Sequence, residues 1–544
     1  MQRRDFLGRI ASSTMAAAVG ACVGRRKAVR AHSITSGGDR ELNTQVKNVI
    51  VIMADTFRWD CLGCYTDKPV ATPNLDQFAQ QSAIFDKSFF SSHPTHPQRT
   101  DCWLGKPCFV FRGWQGLEVG DREFSFLLLQ SPVTTMLIGD TYHLLSDFGA
   151  GKAFHYQHDG NYQRHFKGWE MIRGQEADRW ITSHKYKVKL PCSVTKLRSP
   201  GFQYLRNAAV RKGEQDWQSP KVFRAAMDWL DMNYDDPNGF VLWIDSFDPH
   251  EPWDPPEDYW APYNPDRVGE FLFWPKYAKT DLFTDDDLIM ISALYHGEVT
   301  LFDTWFGKFI AHCSRLGLME NTMILFFSDH GIHLGDHGVV GKPGGAICPF
   351  CYNELARVPF LVYHPNKNCA GKHLPHLVQS VDVYATILDA VGRSNVASPH
   401  VASKSIMPIL DNPAHTLRDY AVYARPLGPM HVTDGTWQLF VPMIAEGDLW
   451  SEARVLLEAE DARPALYHLP TDPEQLHNRY GEEQAIQSEL QDALMAFLDE
   501  QYRLFKKEEE EEVKEGSQPP PSLPPGSVSI TQRMKWLQNS FNNM

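Results

Sequence analysis

Three predicted strands of this chain each end at an aspartate. The apolar run 47–54 is followed by Asp55, and the run 240–244 is followed by Asp245. The run 323–327 is followed by Ser328, Asp329 and His330. Continuous β-branched runs are typical of strands buried on both faces of a parallel sheet, and α/β folds build their sites at the carboxyl edge of such a sheet. Two carboxylates and an imidazole can bind one divalent cation, which makes Asp55, Asp329 and His330 candidate metal ligands. A lone aspartate at a strand end more often caps the following helix, so that alternative stays open.

A second candidate for chemistry is the segment from Ser91 to Gly105, which contains the pattern Thr95-x-Pro97-x-Arg99. Pro97 would constrain a turn, and Arg99 would reach back toward the hydroxyl of Thr95. The guanidinium presents a fixed fork of donors that matches tetrahedral oxyanions such as sulfate and phosphate. A threonine hydroxyl is a poor nucleophile unless a base or a metal activates it. Taken alone, the pattern is more typical of a surface turn.

Together these segments resemble the sulfatases of the alkaline phosphatase superfamily. The family pattern is Cys or Ser-x-Pro-x-Arg followed six positions later by Gly, and Thr95 to Gly105 keeps that spacing. The resemblance covers roughly residues 46–505. Other matching segments, in the family's order, are Thr72–Asp76, Asp248–His250, Ser328–Gly331, Gly335–Gly338 with Lys342, Leu466–Leu469 and Asp472–Glu474. The resemblance implies a hydrolase of small-molecule or glycan esters with one divalent metal ion, Ca²⁺ by family, with Mn²⁺ or Zn²⁺ as alternatives.

The resemblance also implies roles for individual residues. Thr95 would be the nucleophile and a fourth metal contact. His250 would protonate or hold the leaving oxygen, with a loop histidine packed on Trp253 as its alternative. Lys342 would bind the anionic group, with a solvated loop lysine as its alternative, and His143 matches only the His of the family's Lys-x-His element. His333, Asp336 and His337 are interpreted as loop supports rather than ligands.

Two residues depart from the family pattern, and both point away from standard aryl sulfate hydrolysis. Sulfatases convert the motif Cys or Ser into formylglycine, whereas this chain has Thr95. Thr141 stands in place of the lysine that normally accompanies His143. Thr56 occupies a position where many relatives have a second ligand, so its own ligand role is doubtful. Asp245 and His250 are separated by four residues rather than the three of a two-metal site, which favours a single metal.

Three functions therefore remain open. The first is an exported hydrolase in which Thr95 attacks a phosphate mono- or diester or a phosphonate ester through a covalent intermediate. The second is a sulfuric ester hydrolase that acts on a sulfated glycan or an aryl sulfate. The third is a catalytically silent homologue that binds an anionic glycan.

Alternating strands and helices predict a doubly wound, mostly parallel α/β sheet with a smaller C-terminal α+β subdomain. Helical patterns lie at 74–82, 222–233, 285–314 and 381–391, and short antiparallel strands at 420–423, 431–433 and 437–441 precede a helix over 483–505. The predicted boundaries are 1–31 for an export signal, 46–394 for the catalytic domain, 395–505 for the antiparallel subdomain with its helix, and 506–544 for a charged, Pro-rich, disordered tail.

The N-terminus predicts export. Arg3 and Arg4 precede a short apolar stretch that resembles a twin-arginine signal, and Val19–Cys22 resembles a lipobox that would make Cys22 a lipid-anchored N-terminus. We therefore expect a periplasmic or lipid-anchored protein with no transmembrane segment. The pairs Cys61/Cys64 and Cys348/Cys351 lack the rest of a metal-knuckle pattern, so buried thiols are favoured over a joint metal or disulfide site.

The net charge argues against nucleic acid as a partner. The chain has 53 Lys and Arg against 67 Asp and Glu, a net charge of −14. Residues 1–31 carry seven of the basic residues and one acidic residue, which leaves −14 − 6 = −20 for the remainder. A surface this acidic repels a phosphate backbone.

Overall fold

The computed structural model describes residues 46–113, 116–118, 120–144, 161–344, 347–367, 369–426, 428–442 and 463–514. The predicted export signal, with Arg3, Arg4 and Cys22, lies outside these residues. Among the residues described, no helix is both long and apolar enough to cross a membrane.

A large mixed sheet of eight strands forms the centre of the fold. In chain order its strands are β1 Asn48–Ala54, β2 Ala83–Phe89, β3 Thr134–Gly139, β4 Gly168–Met171, β5 Phe240–Ser246, β7 Thr322–Ser328, β10 Phe360–Tyr363 and β11 Lys372–Gln379. Their spatial order is β11-β2-β10-β7-β1-β5-β3-β4, and every neighbouring pair is parallel except the two that involve β10. The predicted doubly wound, mostly parallel sheet is confirmed.

Two smaller sheets complete the strands. A three-stranded sheet contains β6 Ala278–Lys279, β8 His333–Leu334 and β9 Val339–Gly341. The C-terminal sheet is antiparallel, as predicted, and contains β12 Ala421–Ala424, β13 Met430–Thr433, β14 Trp437–Val441 and β15 Ala465–His468.

Helices cover both faces of the large sheet and one face of the C-terminal sheet. They are α1 Pro73–Ala79, α2 Thr95–Leu104, α3 Cys108–Phe111, α4 Phe124–Leu128, α5 Phe202–Ala208, α6 Gln218–Asn233, α7 Glu257–Trp260, α8 Asp285–Arg315, α9 Asn353–Ala356, α10 Val383–Ala390, α11 Met407–Asp411 and α12 Gln484–Lys514. Helix α12 runs past the predicted end at 505, so its last turns include the first part of the segment predicted to be a disordered tail. The rest of that tail lies outside the described residues.

Strand β1 shows why a continuous apolar run is needed at the centre of the sheet. All seven of its residues are buried. Ile50 and Ile52 join one core with α6 and α8, while Val49 and Val51 join a second core with α2 and α10. A third core packs Leu490, Leu494 and Leu498 of α12 against the C-terminal sheet. The central strands are therefore covered on both faces, and their functional groups lie at the strand ends.

All nine cysteines in the described part of the chain are free thiols. Cys61, Cys348 and Cys351 are buried and Cys64 is partly buried. This agrees with the interpretation of both Cys-x-x-Cys pairs as ordinary thiols.

We expect Phe326→Ala to destabilise the fold strongly. Phe326 is fully buried in β7, and its ring lies 5.6 Å from those of Phe57 and Phe306 and 5.9 Å from that of Phe302. Deleting a buried aromatic ring leaves a cavity that typically costs about 3–5 kcal/mol. Urea unfolding measures the loss, with Met232→Ala as the control because Met232 is 73% exposed. Equal effects of the two variants would contradict this account of the core.

Candidate active site

A buried arginine joins the carboxyl ends of three neighbouring strands. Arg99 of α2 donates from Nε and Nη2 to the two carboxylate oxygens of Asp245, at 3.0 and 2.8 Å. Its Nη1 lies 3.0 Å from Asp55 Oδ2 and 3.0 Å from Asp329 Oδ2. The arginine and all three aspartates are fully buried. The sheet edge therefore brings together the strand-end carboxylates that the sequence singled out.

The contact of Arg99 with Thr95 differs from the prediction. Arg99 Nη1 donates to the main-chain carbonyl oxygen of Thr95, at 3.2 Å, instead of reaching toward the hydroxyl. Burial by itself lowers the pKa of Arg99, but Asp245, Asp55 and Asp329 raise it well above its ordinary value. The guanidinium is thus fixed in its charged form, and the carboxylates determine where its donors point.

Asp55, Asp329 and His330 form a compact set of possible metal ligands. One ligand atom of each lies within 4.8 Å of the others, and all three residues are buried. His330 Nδ1 lies 2.8 Å from the carbonyl oxygen of Gly331, so Nδ1 carries the proton and donates. His330 Nε2 is buried without a hydrogen-bond partner among the described residues, 3.5 Å from Asp329 Oδ2. Two carboxylates and an imidazole nitrogen with a free lone pair fit a divalent cation.

The same contacts favour one metal rather than two. Both oxygens of Asp245 accept hydrogen bonds from Arg99, and Thr141 Oγ1 donates to Asp245 Oδ1 at 2.5 Å. These bonds occupy the carboxylate that a second site would need.

Lys342 lies inside the site. Its Nζ donates to Thr56 Oγ1 at 2.8 Å and lies 3.8 Å from Asp55 Oδ1, and the residue is 7% exposed. The alternative of a solvated loop lysine is therefore wrong. The Thr56 hydroxyl donates to Asp55 Oδ1 at 2.6 Å, which makes Thr56 a link between the lysine and the carboxylate.

Thr95 is the first residue of α2 and is 4% exposed. The main-chain N–H groups of a first helical turn have no partner within the helix and favour a nearby anion. The helix ends at Gly105, whose φ of +69° favours glycine and where a Cβ would lie 2.7 Å from the ring of Tyr384. Gly105 therefore lets α2 end close against α10.

Glu176 lies between the two histidines of the site. Its carboxylate is 3.4 Å from His143 Nε2 and 3.9 Å from His250 Nδ1. Burial raises the pKa of Glu176, but His143, His250 and Arg198 lower it below its ordinary value, so the carboxylate is ionised at neutral pH. The backbone of Glu176 has a φ of +41°, a conformation that costs free energy for a non-glycine residue and is found preferentially at functional sites.

His250 is buried and neutral. Its Nδ1 lies 2.5 Å from the carbonyl oxygen of Glu251, so this nitrogen carries the proton and Nε2 is free to accept one. Burial and the charge of Lys342 lower the pKa of His250 to about 3. Its ring stacks on Phe247, with ring centres 4.0 Å apart, rather than on Trp253 as the alternative interpretation had it.

Glu176 was not predicted to be part of the site. Glu176 follows β4 in a loop without periodicity or a known pattern, so only the tertiary fold places it between the histidines. The interpretation of Asp336 and His337 as supports agrees with their contacts. Asp336 pairs with Arg58 at 2.5 Å, and His337 stacks on Tyr352 at 3.7 Å between ring centres.

The fold and this edge of the sheet define the class of protein. A doubly wound sheet with a buried carboxylate–imidazole cluster at its carboxyl edge agrees with the resemblance to the alkaline phosphatase superfamily. A family model described as Sulfatase matches residues 47–393, so the chain belongs to the sulfatase family. The predicted class, an ester hydrolase that depends on a metal, is that of the family.

Individual relatives are distant in sequence. An arylsulfatase of Clostridium perfringens is 25% identical over 406 residues, which is 69% of this chain and 80% of the relative. A multifunctional alkaline phosphatase superfamily protein of Trinickia caryophylli is 24% identical over 423 residues, which is 67% of this chain and 77% of the relative. The crystal structure of the phosphonate monoester hydrolase of Agrobacterium radiobacter superimposes with a TM-score of 0.62 at 20% identity, and the match covers 82% of this chain and 95% of that one.

We expect Asp329→Ala to weaken divalent-cation binding by about 100-fold or more, because the variant removes one of three ligands and its charge. In the intact protein, a cation at 100 times its dissociation constant should stabilise the fold by about 2.7 kcal/mol. Thermal unfolding with and without Ca²⁺, Mn²⁺ or Zn²⁺, together with calorimetric titration, measures both effects. Asp336→Asn is the matched control because Asp336 lies outside the cluster. Equal weakening in both variants would contradict the assignment.

Proposed function

We propose that this protein is a metal-dependent hydrolase of phosphate or phosphonate esters, with Thr95 as the nucleophile. The observation that carries the proposal is the position of Thr95. Thr95 is the first residue of α2, and its main-chain carbonyl oxygen accepts from Arg99 Nη1, the same nitrogen that contacts Asp55 and Asp329. By the resemblance of the Thr95 to Gly105 segment, this would be the position where family members carry formylglycine. Threonine has no aldehyde to regenerate, so a covalent intermediate must be released by attack at its tetrahedral centre. Such attack is more accessible at phosphorus than at sulfur.

Asp55, Asp329 and His330 would hold the cation, with the Thr95 hydroxyl as a fourth contact. When bound, a divalent cation supplies positive charge that polarises substrate oxygens and favours ionisation of a neighbouring hydroxyl. Oxygen ligands suit Ca²⁺, and the imidazole also suits Mn²⁺ or Zn²⁺. Lys342 would lie against the anionic oxygens of the substrate.

The reaction proceeds in two balanced steps. In the first, a bond forms between Thr95 Oγ1 and phosphorus while the ester bond to the leaving oxygen breaks. The proton that Thr95 loses goes to solvent, and the free Nε2 of His250 relays a proton from water to the leaving oxygen on the opposite side of phosphorus. His143 lies on the other side of Glu176 from His250. In the second step water attacks phosphorus, its proton goes to the Thr95 oxygen that is expelled, and the free acid leaves.

The alternative is a sulfuric ester hydrolase, which is favoured by the name of the arylsulfatase of Clostridium perfringens. The substrate in either case would be a small-molecule or glycan ester. Inorganic sulfate released from a broad panel of sulfate esters, without phosphate or phosphonate release, would support this alternative over the first proposal. Export by the twin-arginine route, with or without a lipid at Cys22, stays a prediction from residues 1–31.

We expect Thr95→Ala to lower kcat/KM for an aryl phosphonate monoester or an aryl phosphodiester by about 10³-fold or more, because no other group replaces the nucleophile. Thr95→Ser keeps the hydroxyl and should retain activity within about tenfold of the wild type. Steady-state kinetics on metal-loaded protein measures both rates, and acid quenching followed by peptide mass analysis detects the phosphorylated threonine.

Unchanged turnover in Thr95→Ala would eliminate the proposal. Absence of turnover in the wild type on both phosphorus and sulfate esters, with glycan binding that survives mutation of Asp55 and Asp329, would identify a silent binding protein. Thermal unfolding of each variant shows that the fold is intact.

We expect Glu176→Gln to slow the hydrolysis of esters with poor leaving groups more than that of esters with good leaving groups. Its carboxylate favours positive charge on His250, and that charge helps only when the leaving oxygen needs a proton. The expected loss in kcat is about tenfold or more for an alkyl leaving group and below about threefold for 4-nitrophenol. The dependence of rate on leaving-group acidity measures the effect, with the exposed Glu170→Gln as control. Equal losses for all leaving groups would assign Glu176 a purely structural role.

A further inference from the structure

The donors of Arg99 are already committed to the protein. Nε, Nη1 and Nη2 contact Asp245, Asp55, Asp329, the Thr95 carbonyl oxygen and Thr141. A buried arginine with three carboxylate partners offers no unpaired charge to a substrate. Thr141 also removes the lysine that the family pattern places near this site. Positive charge for an anionic substrate must therefore come from other residues.

Arg425 lies next to the segment that leads into the nucleophile. The end of β12 pairs with this segment, since the His93 N–H donates to the Ala424 carbonyl oxygen at 3.0 Å and the Ala424 N–H donates to the Ser91 carbonyl oxygen at 3.1 Å. Arg425 directly follows Ala424 and is therefore positioned by the C-terminal sheet. Its Nη1 lies 3.4 Å from the carbonyl oxygen of Lys342.

The guanidinium of Arg425 has unsatisfied donors. Its Nε and Nη2 are buried and have no hydrogen-bond partner among the residues that the structure describes. The Cys351 thiol lies beside it, but a neutral thiol is a weak acceptor without charge. No carboxylate in the described ranges lies within 4.0 Å of this arginine, whereas Arg58, Arg99, Arg112 and Arg418 all form such pairs. Burying charged donors without an acceptor costs free energy, and a bound anion would supply the missing acceptor.

His93 lies between Arg425 and the metal ligands. It is fully buried, both of its ring nitrogens lack a partner among the described residues, and its ring lies 4.6 Å from that of His330. Burial lowers the pKa of His93, and the charges of Arg425, His330 and Lys342 lower it further. The charges that act most on His330 are instead those of Lys342, Asp55 and Arg99. Lys342 contacts the metal-ligand cluster directly through Asp55, whereas the contacts of Arg425 are with the Lys342 carbonyl oxygen and the segment around His93.

We infer that Arg425 and His93 form a second anion-binding subsite beside the reacting group. This subsite would take a carboxylate or a further sulfate or phosphate carried on the non-leaving part of the substrate. The inference rests on the proposed function, because it takes the metal cluster and Lys342 as the position of the reacting group. It narrows the substrate class to esters that carry a second negative charge.

The test measures binding rather than turnover. Metal-loaded protein is titrated calorimetrically with ω-phosphonocarboxylic acids of two to five methylenes and with alkylphosphonates of the same lengths. We expect the carboxylate to tighten binding about tenfold or more at the best chain length, because a charged hydrogen bond forms with Arg425. Arg425→Gln should remove that advantage and leave alkylphosphonate binding unchanged. Arg425→Lys should retain part of it.

Arg479→Gln is the matched control, because Arg479 lies on the same C-terminal subdomain and pairs with Glu482 and Glu483. Loss of carboxylate selectivity in Arg425→Gln alone supports the subsite. Equal loss for both ligand series, or selectivity that persists in Arg425→Gln, overturns it. Because the ligands are not hydrolysed, the result does not depend on whether Thr95 performs chemistry. Thr95→Ala distinguishes the two proposals. If this variant kept full turnover, the nucleophile role of Thr95 would be wrong, but the binding result for Arg425 would still hold.

Discussion

The buried ion cluster around Arg99 is the interaction on which the site depends. One guanidinium from α2 holds carboxylates from β1, β5 and β7 together, and all four groups are fully buried. Removing one member of such a cluster leaves an uncompensated buried charge, which typically costs about 3–5 kcal/mol. Three carboxylates against one guanidinium leave two negative charges, and Lys342 lies 3.8 Å from Asp55 Oδ1. The remaining excess of negative charge in a dry environment attracts a cation, so the same cluster that attaches α2 to the sheet also explains why the site would bind a metal.

Thr141, one of the two residues that depart from the family pattern, is linked to Arg99 through Asp245. The Thr141 hydroxyl donates to Asp245 Oδ1 at 2.5 Å, and the same oxygen accepts from Arg99 at 2.8 Å. A lysine at position 141 would place a second cation beside the carboxylate that orients Arg99, and it would compete with the bidentate pair. A hydroxyl completes the hydrogen bonds of Asp245 without adding charge. Thr141 therefore fits a site in which Asp245 positions Arg99, and anion binding depends on residues outside this cluster.

Much of the fold could be predicted from local patterns. The β-branched run that forms β1 was predicted to within one residue, and α8 was predicted from its helical pattern over 285–314. In the structure, Thr284 and Asp287 form a capping box at its start. The antiparallel direction of β10 was not predicted, since an apolar run has no information about strand direction. The same distinction applies to the site. Asp329 and His330 directly follow a strand and could be found from the sequence, whereas Glu176 and Arg425 enter from separate parts of the chain and only the tertiary fold brings them to the edge of the sheet.

The chemistry that this site favours follows from the β-carbon of residue 95. A formylglycine diol can release its ester by collapsing to an aldehyde, and that route needs a second oxygen on the β-carbon. Thr95 has a methyl group there instead, so an intermediate on its oxygen must be opened by water at the tetrahedral centre. Under the proposed function, the neutral His250 with its free Nε2 would activate that water, and Lys342 together with a bound cation would supply positive charge for in-line attack at phosphorus. Water attack at sulfur in a sulfated threonine is intrinsically more difficult than attack at phosphorus in a phosphorylated one. This difference is the physical basis for proposing a phosphorus ester ahead of a sulfate ester.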